Sequence, residues 1–115
     1  MVCQLRGRAG RACAVAAVTA LALAAASPGI ARAEKHVVTI ENMAFAPSTL
    51  TVKRGDTVVW RNKDIVPHTA TAAGRFDSGN IAPNKSWTHV MKAPAGRYDY
   101  ACTYHPGMKA SIVVQ

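Results

Sequence analysis

Past residue 33 the sequence has a single cysteine, Cys102, so no disulfide can form within that part of the chain. The other two cysteines, Cys3 and Cys13, lie upstream. Long apolar runs are missing too. The longest, Ala12 to Ala26, falls short of the ~20 residues that a membrane-spanning helix needs. No Arg-Arg pair precedes that run, which favours the general export route over the twin-arginine one. Acidic residues are few, six against fourteen Lys and Arg. The basic residues are scattered, and no nucleic-acid-binding motif occurs among them. Helical periodicity, internal repeats and low-complexity tracts are all absent after the first third.

That first third has its own anatomy. Arg6, Arg8 and Arg11 form a positive start, the Ala/Val/Leu stretch follows, and Ser27-Pro28-Gly29 breaks it. Ala31-Arg32-Ala33 closes the segment with an A-x-A pattern of small residues. This order predicts a secretory signal peptide over 1–33, cleaved after Ala33, and a mature domain over 34–115. The mature protein is then expected in the periplasm, with no membrane span. From Glu34 onward ten basic residues face six acidic ones, a net charge of +4 that fits an ordinary solvated surface. An unpaired cysteine in an oxidising compartment is a hazard unless something occupies its sulfur. A bound metal would do so and would also stabilise a small domain.

From Glu34 the hydropathy pattern has period two. Val38 and Ile40 share a face, as do Leu50 and Val52, then Val58 and Trp60. His68, Ala70 and Ala72 line one side of a short segment, and Trp87, His89 and Met91 alternate in another. Tyr98, Tyr100 and Cys102 face one way, and Ala110, Ile112 and Val114 close the chain. Arg54-Gly55 reads as a tight turn between antiparallel strands. The stretch from Ala73 to Lys85 reads as loop. Seven short strands predict an all-β, antiparallel β-sandwich.

The segment Cys102-Thr103-Tyr104-His105-Pro106-Gly107-Met108 carries the chemistry. A thiolate, an imidazole and a thioether recur at three-residue intervals between two predicted strands. These soft and borderline donors suit copper better than hard cations. A blue-copper centre needs two imidazoles, one thiolate and a weak axial sulfur. The loop supplies one His, the Cys and the Met, and His68, after Pro67 at the start of a strand, is the natural second His. Taken singly each has a plainer reading. An inward Cys is a small buried apolar group, a Met after a turn is core, and a lone His is a surface or capping residue. Their joint occurrence in one seven-residue turn outweighs those readings. His36 is expected to be solvated, and His89 to be a partly buried core histidine and not a ligand.

The chain from Glu34 to Gln115 resembles the cupredoxin family of blue-copper proteins, in its amicyanin- and plastocyanin-like branch. The resemblance rests on Leu50-Thr51-Val52-Lys53-Arg54-Gly55-Asp56-Thr57-Val58-Val59-Trp60-Arg61-Asn62, on Pro67-His68 and Phe76-Asp77-Ser78-Gly79, on Gly96 to Cys102, and on the Cys-x2-His-x2-Met loop. It implies a Greek-key sandwich and one copper ion cycling between Cu(II) and Cu(I), with His68, Cys102, His105 and Met108 as ligands and Met108 in the axial role. It implies that Asn62 ties the ligand-bearing loops together and that the backbone N–H of Thr69 donates to the cysteine sulfur. Thr69 stands where many relatives have Asn, and Tyr104 and Gly107 replace bulkier or stiffer choices in the loop.

These features predict a monomeric, non-enzymatic one-electron carrier with transient redox partners, a dehydrogenase or a c-type cytochrome. The alternative is a copper carrier or metallochaperone that uses the same ligands but exchanges metal instead of electrons. A copper enzyme would need a further histidine cluster, and only His36 and His89 remain. A zinc site has no need of the methionine, and Cys102 has no triad partner for hydrolysis.

Overall fold

The computed structural model describes Arg32 to Gln115, together with Ala17 and Ala20. The expected signal peptide otherwise lies outside the described residues, and among those residues no helix is long and apolar enough to cross a membrane.

Among the described residues nine strands follow one another: β1 (Lys35–Glu41), β2 (Ala44–Ala46), β3 (Thr49–Val52), β4 (Thr57–Asn62), β5 (Thr71–Ala72), β6 (Phe76–Asp77), β7 (Ser86–Val90), β8 (Gly96–Ala101) and β9 (Lys109–Val114). They form a four-stranded sheet in the order β2-β1-β4-β7 and a five-stranded sheet in the order β3-β9-β8-β5-β6. The inward residues of the period-two pattern meet between them. Val38 and Ile40 of β1, Val58 and Trp60 of β4 and Ile112 of β9 are fully buried. Burying each such aliphatic side chain stabilises the fold by about 1.5–3 kcal/mol. Trp60 occupies the middle, its ring centroid 5.2 Å from Trp87, 5.4 Å from Phe76 and 5.7 Å from Tyr100. Burial pushes the Tyr100 phenol up to about 12, so it stays protonated at neutral pH.

The sandwich is mixed, not antiparallel throughout. β1 runs parallel to β4, and β3 runs parallel to β9. The reason lies in the Arg54-Gly55 turn. It joins β3 and β4, which belong to different sheets, so it is a crossover and not a hairpin. Gly55 there has φ +96°, a conformation that side-chain-bearing residues rarely adopt. Two strands were not expected, β2 and β6, each three residues or shorter. Period-two patterns need about four residues to register, so strands this short escape them. β6 falls within the stretch read as loop.

His36 is a further correction. Its side chain is only 20% exposed, because its Nε2 lies 2.9 Å from Asp56 Oδ2 across the β1–β4 pair. Asp56 collects other donors as well, the N–H groups of Glu34 at 2.8 Å and Lys53 at 2.9 Å. These bonds, the Glu34 amide foremost, lower the Asp56 carboxyl to about 2. A carboxyl depressed below its unfolded value near ~4 stabilises the fold above that pH, and the contribution disappears as pH falls through about 2. Thermal melts between pH 5 and 2 should therefore show a steep loss of stability in the wild type. Asp56→Asn should be less stable at neutral pH and lose less over that acid range; an identical acid limb would contradict the assignment.

Candidate metal centre

The first half of the site hangs from the end of β4. Asn62, fully buried, donates through Nδ2 to the carbonyls of Val66 and Ile81, each at 2.9 Å, and its Oδ1 accepts from Asp64 N at 2.9 Å. Ile81 in turn exchanges both backbone hydrogen bonds with His68, at 3.2 and 2.8 Å. One amide side chain thus fixes the loop before His68 and the strand-like segment opposite it. His68 is completely buried. Its Nε2 lies 2.7 Å from Asp64 Oδ2.

The second half lies in the turn between β8 and β9. Cys102 N donates to Met108 O at 3.1 Å and Met108 N donates to His105 O at 2.8 Å, closing the seven-residue loop on itself. Cys102 and Met108 are buried, whereas His105 is half-buried. Thr69 joins the halves. Its N–H donates to Cys102 Sγ at 3.3 Å, and its Oγ1 accepts from Thr103 N at 2.8 Å. Thr71 donates its hydroxyl to the same oxygen at 3.1 Å.

His68 Nδ1 and His105 Nδ1 each lie 3.8 Å from Cys102 Sγ. All three donor atoms fall within 4.8 Å of one another. Donor atoms this close could be shared by one ion, and one thiolate with two imidazoles is a donor set that suits copper. Met108 is buried at the end of the same turn.

Asp64 decides which histidine nitrogen faces the sulfur. Burial pushes its carboxyl up, but hydrogen bonds from the Met43 amide, the His68 ring and the Asn42 amide outweigh that and hold it below the usual carboxylate range. An ionised carboxylate only accepts, so His68 Nε2 donates to it and Nδ1 is the nitrogen turned toward Cys102. A carboxylate behind a ligating imidazole fixes ring orientation and raises its basicity.

The sequence pattern of the cupredoxin-like domain matches residues 12–114. The chain belongs to the cupredoxin-like family. The match begins upstream of Glu34, within the expected signal peptide. Among curated relatives, this cupredoxin is 32% identical to amicyanin from Paracoccus versutus over 92 residues, which cover 72% of this chain and 67% of that one. It is 35% identical to amicyanin from Paracoccus denitrificans over 88 residues, covering 69% and 64% respectively. The chain thus spans about two thirds of the length of these relatives. The solved structure of a methionine-to-alanine variant of amicyanin in its Cu(I) form superposes with a TM-score of 0.65 at 32% identity. The superposition covers 70% of this chain and 82% of that one.

Within this cupredoxin the structure brings His68, Cys102 and His105 together, with Met108 buried at the end of the same turn, and it leaves His36 and His89 outside the cluster. His89 is half-buried, stacked on Trp87 with centroids 5.2 Å apart, and burial lowers its pKa. Thr69 retains a side-chain link to the cysteine loop even without the Asn of many relatives. Tyr104 is exposed and donates to Asn80 Oδ1 at 3.1 Å. Asp64 and Thr103 were not singled out from sequence. Asp64 stands four residues before His68, and a carboxylate so near an expected histidine ligand was the available signal. Asn62→Ala would take a donor from the part-buried Val66 carbonyl, one of two donors from the buried Ile81 carbonyl and the acceptor of Asp64 N, and should cost about 1–3 kcal/mol in denaturant titrations, with an unchanged slope. A loss below ~0.5 kcal/mol would mean that the loop is held by other contacts.

Proposed function

We propose that this cupredoxin holds one copper ion through His68 Nδ1, Cys102 Sγ, His105 Nδ1 and the thioether of Met108, and works as an exported one-electron carrier. The observation that carries this reading is the pair of 3.8 Å separations from Cys102 Sγ to the two imidazole nitrogens. Copper, when bound there, supplies the Cu(II)/Cu(I) couple. The chain's residues supply the rest. Buried His68 and Cys102 keep water from one side of the site. Thr69 N–H places a donor on the thiolate and so disperses part of its negative charge. The Asn62, Asp64 and Thr69 hydrogen bonds hold the donors so that little needs to move when the charge changes.

His105 is the ligand nearest solvent, and its half-exposed ring is the face that a redox partner would approach. Pro67, Pro106, Gly107 and Met43 are exposed and furnish an apolar rim for transient docking. Ile65, 94% exposed, and Tyr104 add to the exposed apolar surface contributed by the two ligand-bearing loops. Brief redox contacts of this kind are small. The partner would be a dehydrogenase or a c-type cytochrome, and the carrier a monomer. The leader over 1–33 would direct export to the periplasm and be removed after Ala33.

The test is the visible spectrum of the purified protein after one equivalent of Cu(II), followed by a weak chelator. An intense blue band that bleaches on reduction, survives the chelator and is missing from Cys102→Ala is expected. A pale product would overturn thiolate-bound copper. A blue protein that surrenders its metal readily would transfer the reading to copper handling.

A further inference from the structure

Glu34, the first residue after the proposed cleavage point, is gripped on both sides. Its nitrogen donates to Asp56 Oδ1 at 2.8 Å, and its carbonyl accepts from Thr57 N at 2.8 Å. Asp56 is only 2% exposed, and its other oxygen accepts from Lys53 N and faces His36 Nε2, both at 2.9 Å. A buried carboxylate is costly unless donors replace its water. While Ala33 is attached, the Glu34 nitrogen is a neutral amide. Hydrolysis of the Ala33–Glu34 bond consumes one water, leaves a carboxylate on Ala33 and turns that nitrogen into an ammonium.

We propose that Asp56 is a built receptor for the α-ammonium of Glu34, so that removal of the leader locks the amino-terminal strand into its sheet. The proposal rests on the cleavage reading given above. An ionised donor makes a hydrogen bond roughly twice as strong as a neutral one, and here the acceptor is a carboxylate largely withdrawn from water. The strand it would anchor is central to its sheet. β1 lies between β2 and β4, and its first pairs, Lys35 with Thr57 and His36 with Val58, start beside Glu34. Fraying at Glu34 would therefore reach the β1–β4 ladder directly. The processed protein is the fully stabilised one, and the receptor lies in the strand-crossover turn, apart from the metal centre.

The pH dependence has a definite sign. An α-amine that gains a carboxylate partner has its folded pKa raised above the unfolded value of about 8. Its contribution is thus complete below pH ~7 and lost as pH rises through the folded value. Other charged groups near Asp56 are Lys35, His36 and the Glu34 carboxylate on the β1 side, with Lys53 and Arg54 in the turn. Lys92 lies on a segment that Arg54 bonds. All of these are common to the proteins compared below, so their titration cancels in the differences.

The full chain is expressed for export, and the mass of the processed protein fixes its first residue. It is compared with a chain carrying one glutamine inserted after Ala33, each with and without Asp56→Asn. At pH 7 the inserted chain should melt about 4–8 °C lower, the gap should close by about pH 10.5, and it should be absent in the Asp56→Asn background. Equal melting at pH 7, or a gap that persists at high pH, overturns the lock while leaving the cleavage reading intact. A processed protein that starts elsewhere than Glu34 overturns the cleavage reading itself. Should Asp56→Asn fail to fold, the pH dependence of the first pair alone decides.

Discussion

Thr69 holds together two stretches of chain more than thirty residues apart, and the metal centre depends on that join. One residue donates its N–H to the Cys102 sulfur and accepts the Thr103 N–H on its hydroxyl oxygen. His68 belongs to one stretch and Cys102, His105 and Met108 to the other. Without the join, nothing in either loop alone would set the separation between the His68 nitrogen and the thiolate. The join also explains why a sandwich of two sheets suits such a site. β5, which follows Thr69, pairs with β8, which ends at Ala101 just before Cys102, so backbone pairing at Thr71 and Ala101 continues the same connection into the sheet.

The two imidazoles do different work. His68 is sealed inside, its outer nitrogen bound by Asp64 and its backbone paired with Ile81. His105 sits on a closed turn with solvent beside it. A carrier built on outer-sphere transfer needs both features, since rigidity limits rearrangement and exposure lets a partner come near. Asp64 links the sealed side to the surface, for it also holds the Asn42 and Met43 amides, at 2.7 and 3.0 Å, in a tip with φ values of 53° and 59°.

Residue pattern alone revealed the strands with clear alternation, such as Val38/Ile40 and Val58/Trp60, because burial on one face of a sheet imposes period two. It also singled out Cys102, His105 and Met108 as candidate ligands, since they lie within seven residues. Pairing direction was not legible. Arg54-Gly55 looks like a hairpin turn because turn chemistry is local, whereas the sheet that each flanking strand joins is decided by distant partners, β9 for β3 and β1 for β4. The same limit applies to polar contacts. The His36–Asp56 contact depends on which strands meet, and the Thr69–Thr103 link spans 34 positions. A histidine at the edge of a domain looks solvated until a neighbouring strand brings a carboxylate against it.

The central claim is that the protein frame holds the donors in place for copper before the metal arrives. Crystal structures of the protein with and without one equivalent of copper test it most directly. The account predicts one ion bound by His68 Nδ1, Cys102 Sγ and His105 Nδ1 with Met108 beyond, and Thr69, Asn62 and Asp64 in the same contacts in both structures. Copper on other atoms, or loops that rebuild around the metal, would contradict it.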